Sequence, residues 1–274
     1  MSRINHRTKL VLLVIVMLIL LLAIYICGRI IPDSAITGSF LNAKQPPSLN
    51  HLFGTDALGR DLFLRTIKGL STSITIGAIA SIISAFIAIL VGIAASIGNK
   101  KIDGIINWII DLVMGVPHTI LIILISFAFG RGMKGLLIGI ATTHWCSLAR
   151  LIESEVLKLR NEQYIAVSRK LSKSNLWILT NHMLPHLVPQ FIVGLVLMFP
   201  HAILHEASIS FLGFGLSSEQ AAIGIILSES MRYLSIGMWW PAVLPGLTLV
   251  LLVLFIDKIG DYLRLILDPY SAQE

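Results

Sequence analysis

The sequence predicts an all-α integral membrane protein with six transmembrane helices. Three observations carry this reading: long uncharged apolar runs, a low charge content, and basic residues gathered between the runs. Of 274 residues, 55% are hydrophobic and 13% charged, with a mean hydropathy of +0.85. Soluble domains carry about 25% charge. The composition excludes an ordinary cytosolic enzyme, a disordered chain and a secreted disulfide scaffold. A helix crosses a bilayer with about 20 apolar residues and satisfies its own backbone polar groups on the way.

The first run, about 10–31, follows Arg3, Arg7 and Lys9. A signal peptide opens in the same way, but no small-residue cleavage site follows Gly28 and further runs come after. The run is therefore expected to stay as an uncleaved span. The remaining spans are expected at about 70–98, 105–129, 134–150, 187–206 and 234–258, the last with a helical extension to about 267. One charge, Asp111, interrupts the third.

Six spans place both termini on one side. With the N-terminus inside, 13 of the 21 Lys and Arg residues fall in inner segments and 8 in outer ones. Lysine and arginine favour the cytoplasmic side, so both termini are expected there. The formal net charge of +6 can suggest nucleic acid. The basic residues lie between apolar runs, and a membrane surface explains them better. Cys27 and Cys146 form neither a CxxC pair nor a disulfide framework.

Three connecting segments are informative. Residues 32–68 form a long outer loop with Pro32, Pro46 and Pro47. Residues 150–185 form a polar inner segment with room for two short helices, in which Ser172 and Ser174 can cap or break and Pro185 ends the second. Residues 206–232 are too broken for a plain span and are expected to be re-entrant or to lie at the outer face.

The histidines carry the sharpest chemistry. His201 and His205 are four apart, which puts both imidazoles on one helix face. Imidazole suits nickel, copper, zinc and iron, so these two are the candidate metal ligands, acting transiently because transport requires release. Glu206 is rotated about 100° from His205. His144 lies beside Trp145 within the fourth span, where ionisable groups often line a pathway. His144, His201, His205 and Glu206 are thus the candidate pathway residues. The plainer alternative is hydrogen bonding between neighbouring helices. His182 and His186 flank Pro185 and read as interfacial polar residues. His118 follows Pro117 and fills a kink. Asp111 reads as a buried pair or cap, and His6 and His51 as solvated. Asp56, Arg60 and Asp61 are expected to form ion pairs or cap the next helix.

Four blocks bear a family resemblance. Gln163-Tyr164, Val167-Ser168, Ser172 and Leu184-Pro185 resemble the "EAA" loop of binding-protein-dependent ABC importer permeases, with Val-Ser in place of the usual Ala pair and Ser172 in place of Gly. The stretch from His51 to Asp61 resembles the block before the second span in C-type permeases of the peptide/nickel family. The stretch from Glu206 to Gly215 resembles their segment after the fifth span, and the stretch from Gly260 to Pro269 their C-terminal signature. The blocks occur in family order over about residues 8–270.

The resemblance implies a type I ABC importer permease fold with a cytoplasmic coupling helix. It implies an N-terminal span and outer loop over 1–68, a permease domain over 69–267 with its coupling segment at 151–185, and a cytoplasmic tail over 268–274. It implies a bacterial cytoplasmic-membrane location and a heteromeric complex. The partners would be a homologous B-type permease, two cytoplasmic ATPase subunits, an extracytoplasmic substrate-binding protein and membrane lipid, with no nucleic acid. Tyr164, Arg169, Leu184 and Pro185 would couple to the ATPases. No GxxxxGK[ST] phosphate loop occurs, so ATP and Mg belong to the partner subunits and this chain is not itself an enzyme. No GxSxG or HExxH pattern supports an intramembrane enzyme either.

Peptide and nickel permeases share these blocks. The stretches around His144-Trp145 and from Pro200 to His205 resemble nickel permeases more than general dipeptide permeases. The expected cargo is therefore nickel, free or chelated, with di- or oligopeptides or a metallophore-bound metal as the alternative.

Overall fold

A computed structural model describes residues 6–97, 99–217 and 219–267. Arg3, Asp268-Pro269 and the rest of the 268–274 tail lie outside the described residues. The described chain is all-helical. Eleven helices follow in order: α1 (His6–Ile30), α2 (Leu62–Ile97), α3 (Lys100–Gly115), α4 (His118–Ala128), α5 (Met133–Ala141), α6 (Trp145–Arg160), α7 (Gln163–Lys170), α8 (Asn175–Ile178), α9 (Leu184–Phe211), α10 (Ile223–Leu234) and α11 (Trp240–Leu267). Five helical stretches are long and apolar enough to cross a membrane, or six when the bent pair α3–α4 counts as one.

The 36-residue α2 is the central post, packed against α1, α5, α6 and α9. Its buried face is built from Gly69, Ser73, Gly77, Ala80, Ser84, Ala88 and Gly92. In lipid no hydrophobic force separates helix from solvent, so close backbone approach does the packing and small residues permit it. Gly92 faces the Ala149 carbonyl and the Ile152 side chain on α6, and Gly69 faces the backbone at Ala222 and Ile223. On α1, Leu12, Ile15, Ile19 and Leu22 are exposed, while Val14 and Met17 are buried with Ile259 of α11. This one-sided contact fits a helix at the lipid-facing edge.

Several elements differ from the reading of the sequence. The helix expected at about 70 begins at Leu62, because tertiary pairing neutralises its charges. Arg65, 3% exposed, places Nη1 2.8 Å from Asp56 and 2.9 Å from Glu229 of α10. Arg60 reaches the same two carboxylates, at 2.6 and 2.8 Å. Asp61 caps α2 by accepting from the Leu64 amide at 2.9 Å. His51 is not simply solvated: its Nδ1 lies 2.7 Å from Asp61 and it is half-buried.

The apolar run at 105–129 is two helices, α3 and α4, bent by 99° at Val116-Pro117. Asn99 caps α3 by accepting from the Lys101 and Ile102 amides. Proline has no amide hydrogen, and Pro117 therefore sits where the helical ladder is interrupted. The run at 134–150 is α5 and α6 joined by a turn at 142–144, and α6 continues to Arg160. Asp111 does pair, with Arg150, but on an exposed surface. Pro185 does not end a helix. A π-helical turn at Leu179–Met183 joins α8 to α9, so one helical stretch runs from Asn175 to Phe211 and Pro185 lies within it, just past the widened turn.

Candidate functional site

Two interruptions shape one cavity of the bundle. The α3–α4 bend contributes Val116, Pro117 and His118, the α5–α6 turn contributes Thr143 and His144, and α9 contributes Met198, His201 and His205. Together with Met114, Cys146 and Ser147 they enclose about 740 Å³. Interrupted helices are where membrane bundles free polar groups for passage sites. Pro117, Ser147 and His201 are exposed, so the cavity opens on a flank of the bundle.

Three imidazoles meet in it. Ring centroids lie 4.5 Å apart for His118 and His144, 4.7 Å for His118 and His205, and 5.0 Å for His144 and His205. One ring nitrogen from each lies within 4.8 Å of the others. His144 Nδ1 is 3.0 Å from the Ile140 carbonyl and 3.2 Å from His118 Nε2. A carbonyl only accepts, so Nδ1 carries the hydrogen and Nε2 of the neutral ring presents a lone pair. That Nε2 is buried without a hydrogen-bond partner. Such an orphan costs about 1–3 kcal/mol.

The structure thus groups His144 and His205 with His118 rather than His205 with His201. His201 lines the same cavity but lies outside the group of three. Glu206 does not line it. It is fully buried, accepting from Ser73 of α2 at 2.5 Å and from Ser210 at 3.0 Å. The sequence alone gave His118 no role beyond a kink. Its signal was the proline beside it, since a break inside an apolar run is where a passage residue sits.

The residues expected to couple lie around α7. Tyr164 packs its ring on His182 and His186, with centroids at 5.5 and 6.2 Å. His182 is 3.1 Å from the Ser168 hydroxyl. Ile165 and Ser168 are buried, whereas Tyr164, Val167 and Leu171 are exposed, 37%, 55% and 67% respectively. Burial raises the Tyr164 phenol above its ordinary pKa, with the neighbouring Glu162 charge adding to the effect. Arg169 is exposed and lines a small cleft with Arg160, Asn175 and Met183. Leu184 is half-buried and Pro185 exposed at the start of α9. The four residues share one end of the bundle, without forming one contact group.

A second cavity, about 820 Å³, lies near the Arg60–Glu229 pair and is lined by Arg131, Arg232 and Tyr233 among others. Arg131 donates to the Gly213 carbonyl at 2.8 Å.

Comparison with known proteins identifies this arrangement. Residues 86–269 match the family described as the binding-protein-dependent transport system inner membrane component. A protein of Brucella suis biovar 1 (strain 1330), assigned to peptide transport as a permease, is 36% identical over 269 residues, covering 98% of this chain and 89% of that protein. The oligopeptide transport permease of Bacillus subtilis (strain 168) is 32% identical, covering 97% and 86%. Its dipeptide transport permease is 30% identical, covering 96% and 82%. In structure, the chain resembles the inward-facing MetNI methionine ABC transporter with a TM-score of 0.62 at 18% identity, over 75% of this chain and 97% of that one. That likeness gives the fold, a type I importer permease. The chain belongs to the binding-protein-dependent transport system inner membrane component family, as a permease subunit of the kind found in peptide and dipeptide ABC importers.

Proposed function

We propose that this chain is one of two permease subunits of an ABC importer whose cargo is of the peptide class. The observation that carries the cargo is full-length similarity to permeases named for dipeptide and oligopeptide transport. This favours the alternative cargo over nickel. A B-type permease would close the open flank of the histidine cavity. Two ATPase subunits would seat on the exposed apolar face of α7, with Tyr164 and Arg169 beside it and Leu184-Pro185 carrying the motion into α9. A substrate-binding protein would deliver cargo to the opposite end. Both termini would lie in the cytoplasm of a bacterial cell, with the chain in the cytoplasmic membrane. ATP and Mg would be held by the ATPases, whose closure would drive alternating access.

A second reading, nickel free or chelated, is favoured by one observation: four histidines line a single cavity. Uptake in a strain lacking this chain separates the two. Restoration of labelled dipeptide uptake by wild-type chain, with nickel uptake unchanged, supports the peptide cargo. Restoration of nickel uptake that dipeptides fail to inhibit reverses the order.

A further inference from the structure

We propose that His118, His144 and His205 form a transit site for a divalent late first-row transition metal, arriving bare or carried by a small chelator. The inference rests on the second reading above, an importer whose cargo is a metal, because a site for cargo needs a passage. It goes beyond that reading by naming the three ligands and by leaving His201 out of the set.

The geometry is that of a site built ahead of its ligand. The three imidazoles come from α4, the α5–α6 turn and α9, so no local spacing rule places them together. Their nitrogens lie within 4.8 Å of one another. Metal–imidazole bonds of about 2.0–2.1 Å bring such nitrogens closer still. His144 carries the partner arrangement that metal-bound histidines use. Its Nδ1 hydrogen points at the Ile140 carbonyl, 3.0 Å away, which holds the ring and leaves Nε2 as its lone-pair nitrogen. That lone pair is buried and has no other partner. A helix-bridging hydrogen bond, the plainer role for a membrane histidine, leaves it unexplained.

The ligand type sets the metal class. Neutral imidazole suits nickel, copper, zinc and cobalt, and no carboxylate stands among the cavity-lining residues to favour magnesium or calcium. Three ligands leave coordination positions open, which a water or the donor atoms of a chelator fill. A site with open positions also releases its metal more readily than a closed one.

The test uses the complete importer in nanodiscs. Ni2+ binding is followed by calorimetry, with Ni2+ alone and with Ni2+ premixed with histidine. X-ray absorption of the loaded wild type reports the donor shell. The expected result is one Ni2+ per copy of this chain with imidazole nitrogens in the shell. His118→Ala, His144→Ala and His205→Ala each weaken binding about tenfold or more, and His201→Ala weakens it less than any of the three. Binding in either premixture supports the site, and the difference between them tells bare from chelated cargo. Absence of binding in both, a shell without imidazole, or three variants that bind like wild type overturns it. If a variant fails to assemble, the wild-type absorption spectrum decides alone. ATP-driven dipeptide uptake by the same preparation is scored in parallel. Uptake without metal binding overturns the metal site and keeps the importer. Loss of all ATP-driven uptake in an assembled wild-type complex overturns the importer reading itself.

Discussion

The Ser73 hydroxyl of α2 donates a 2.5 Å hydrogen bond to the Glu206 carboxylate of α9, joining two long helices of the bundle through a fully buried group. Ser210 satisfies the second carboxylate oxygen at 3.0 Å, and its own oxygen accepts from the Leu216 amide at 3.3 Å. Glu206 thus connects α2 to the chain reversal that follows α9. Glu206→Ala leaves two hydroxyls without their acceptor and opens a void, at a cost of about 2–4 kcal/mol. Glu206→Gln keeps an acceptor oxygen and is expected to cost less than half as much. Thermal unfolding of the purified complex in nanodiscs checks both. Equal loss in the two variants would sink this account.

Asp56 and Arg65 form a buried pair that Arg60 and Glu229 complete, tying the loop before α2 to α10. Removing one member of a buried pair leaves an uncompensated charge. Asp56→Ala is therefore expected to destabilise by about 3–5 kcal/mol. Arg65 meets Asp56 and Glu229 through one nitrogen, Nη1, so Arg65→Lys, with three donors on a single nitrogen, is expected to cost less than Asp56→Ala. A double-mutant cycle of Asp56→Asn with Arg65→Met should return a coupling energy well above the about 1 kcal/mol of an exposed pair.

Gly92 sets the distance between α2 and α6. A Cβ there would stand 2.6 Å from the Ala149 carbonyl oxygen. Gly92→Ala is expected to push the helices apart and cost about 1–3 kcal/mol. Gly104, around which a Cβ meets nothing, is the control: Gly104→Ala should be neutral or stabilising. Melting temperatures of the two variants, measured side by side, test this. A neutral Gly92→Ala would mean the interface is looser than its geometry implies.

The exposed apolar face of α7 gives a prediction about coupling. Val167 and Leu171 are exposed, so Val167→Asp and Leu171→Asp should change folding by no more than about 0.5 kcal/mol. If the ATPases seat there, each variant should weaken their association about tenfold, equivalent to about 1.4 kcal/mol. Co-purification of the ATPases and substrate-stimulated ATP hydrolysis are the readouts. Intact stimulation would remove α7 from the coupling path.

The fold class was legible because hydropathy reports which segments prefer lipid, and the runs here are long. Element ends were less legible where tertiary contacts decide them. A charge reads as the edge of a span, yet Arg65 belongs inside α2 because Asp56 and Glu229, one of them far away in sequence, meet it there. Hydropathy is also blind to the course of the backbone, so the bend at Val116-Pro117 lay hidden in an unbroken apolar run. The same limit explains the candidate site. Spacing within one helix paired His201 with His205, whereas the structural group draws on α4, the α5–α6 turn and α9. Pro185 reads as a helix stop, whereas the π-helical turn before it carries the helical backbone on into α9.

The 99° bend between α3 and α4 has a mechanical corollary. With Pro117 lacking an amide hydrogen, changing the angle at this joint forfeits no hydrogen bond from that residue, so the backbone there is softer than in either arm. His118 is the first residue beyond the joint. Any swing of α4 relative to α3 alters the gap between His118 and the two imidazoles facing it, at almost no lever arm. The bundle therefore carries a proline joint and a cluster of three imidazoles at a common height. Ring spacing can then serve as a vernier for helix tilt, which a pair of spectroscopic labels on α3 and α4 would read directly.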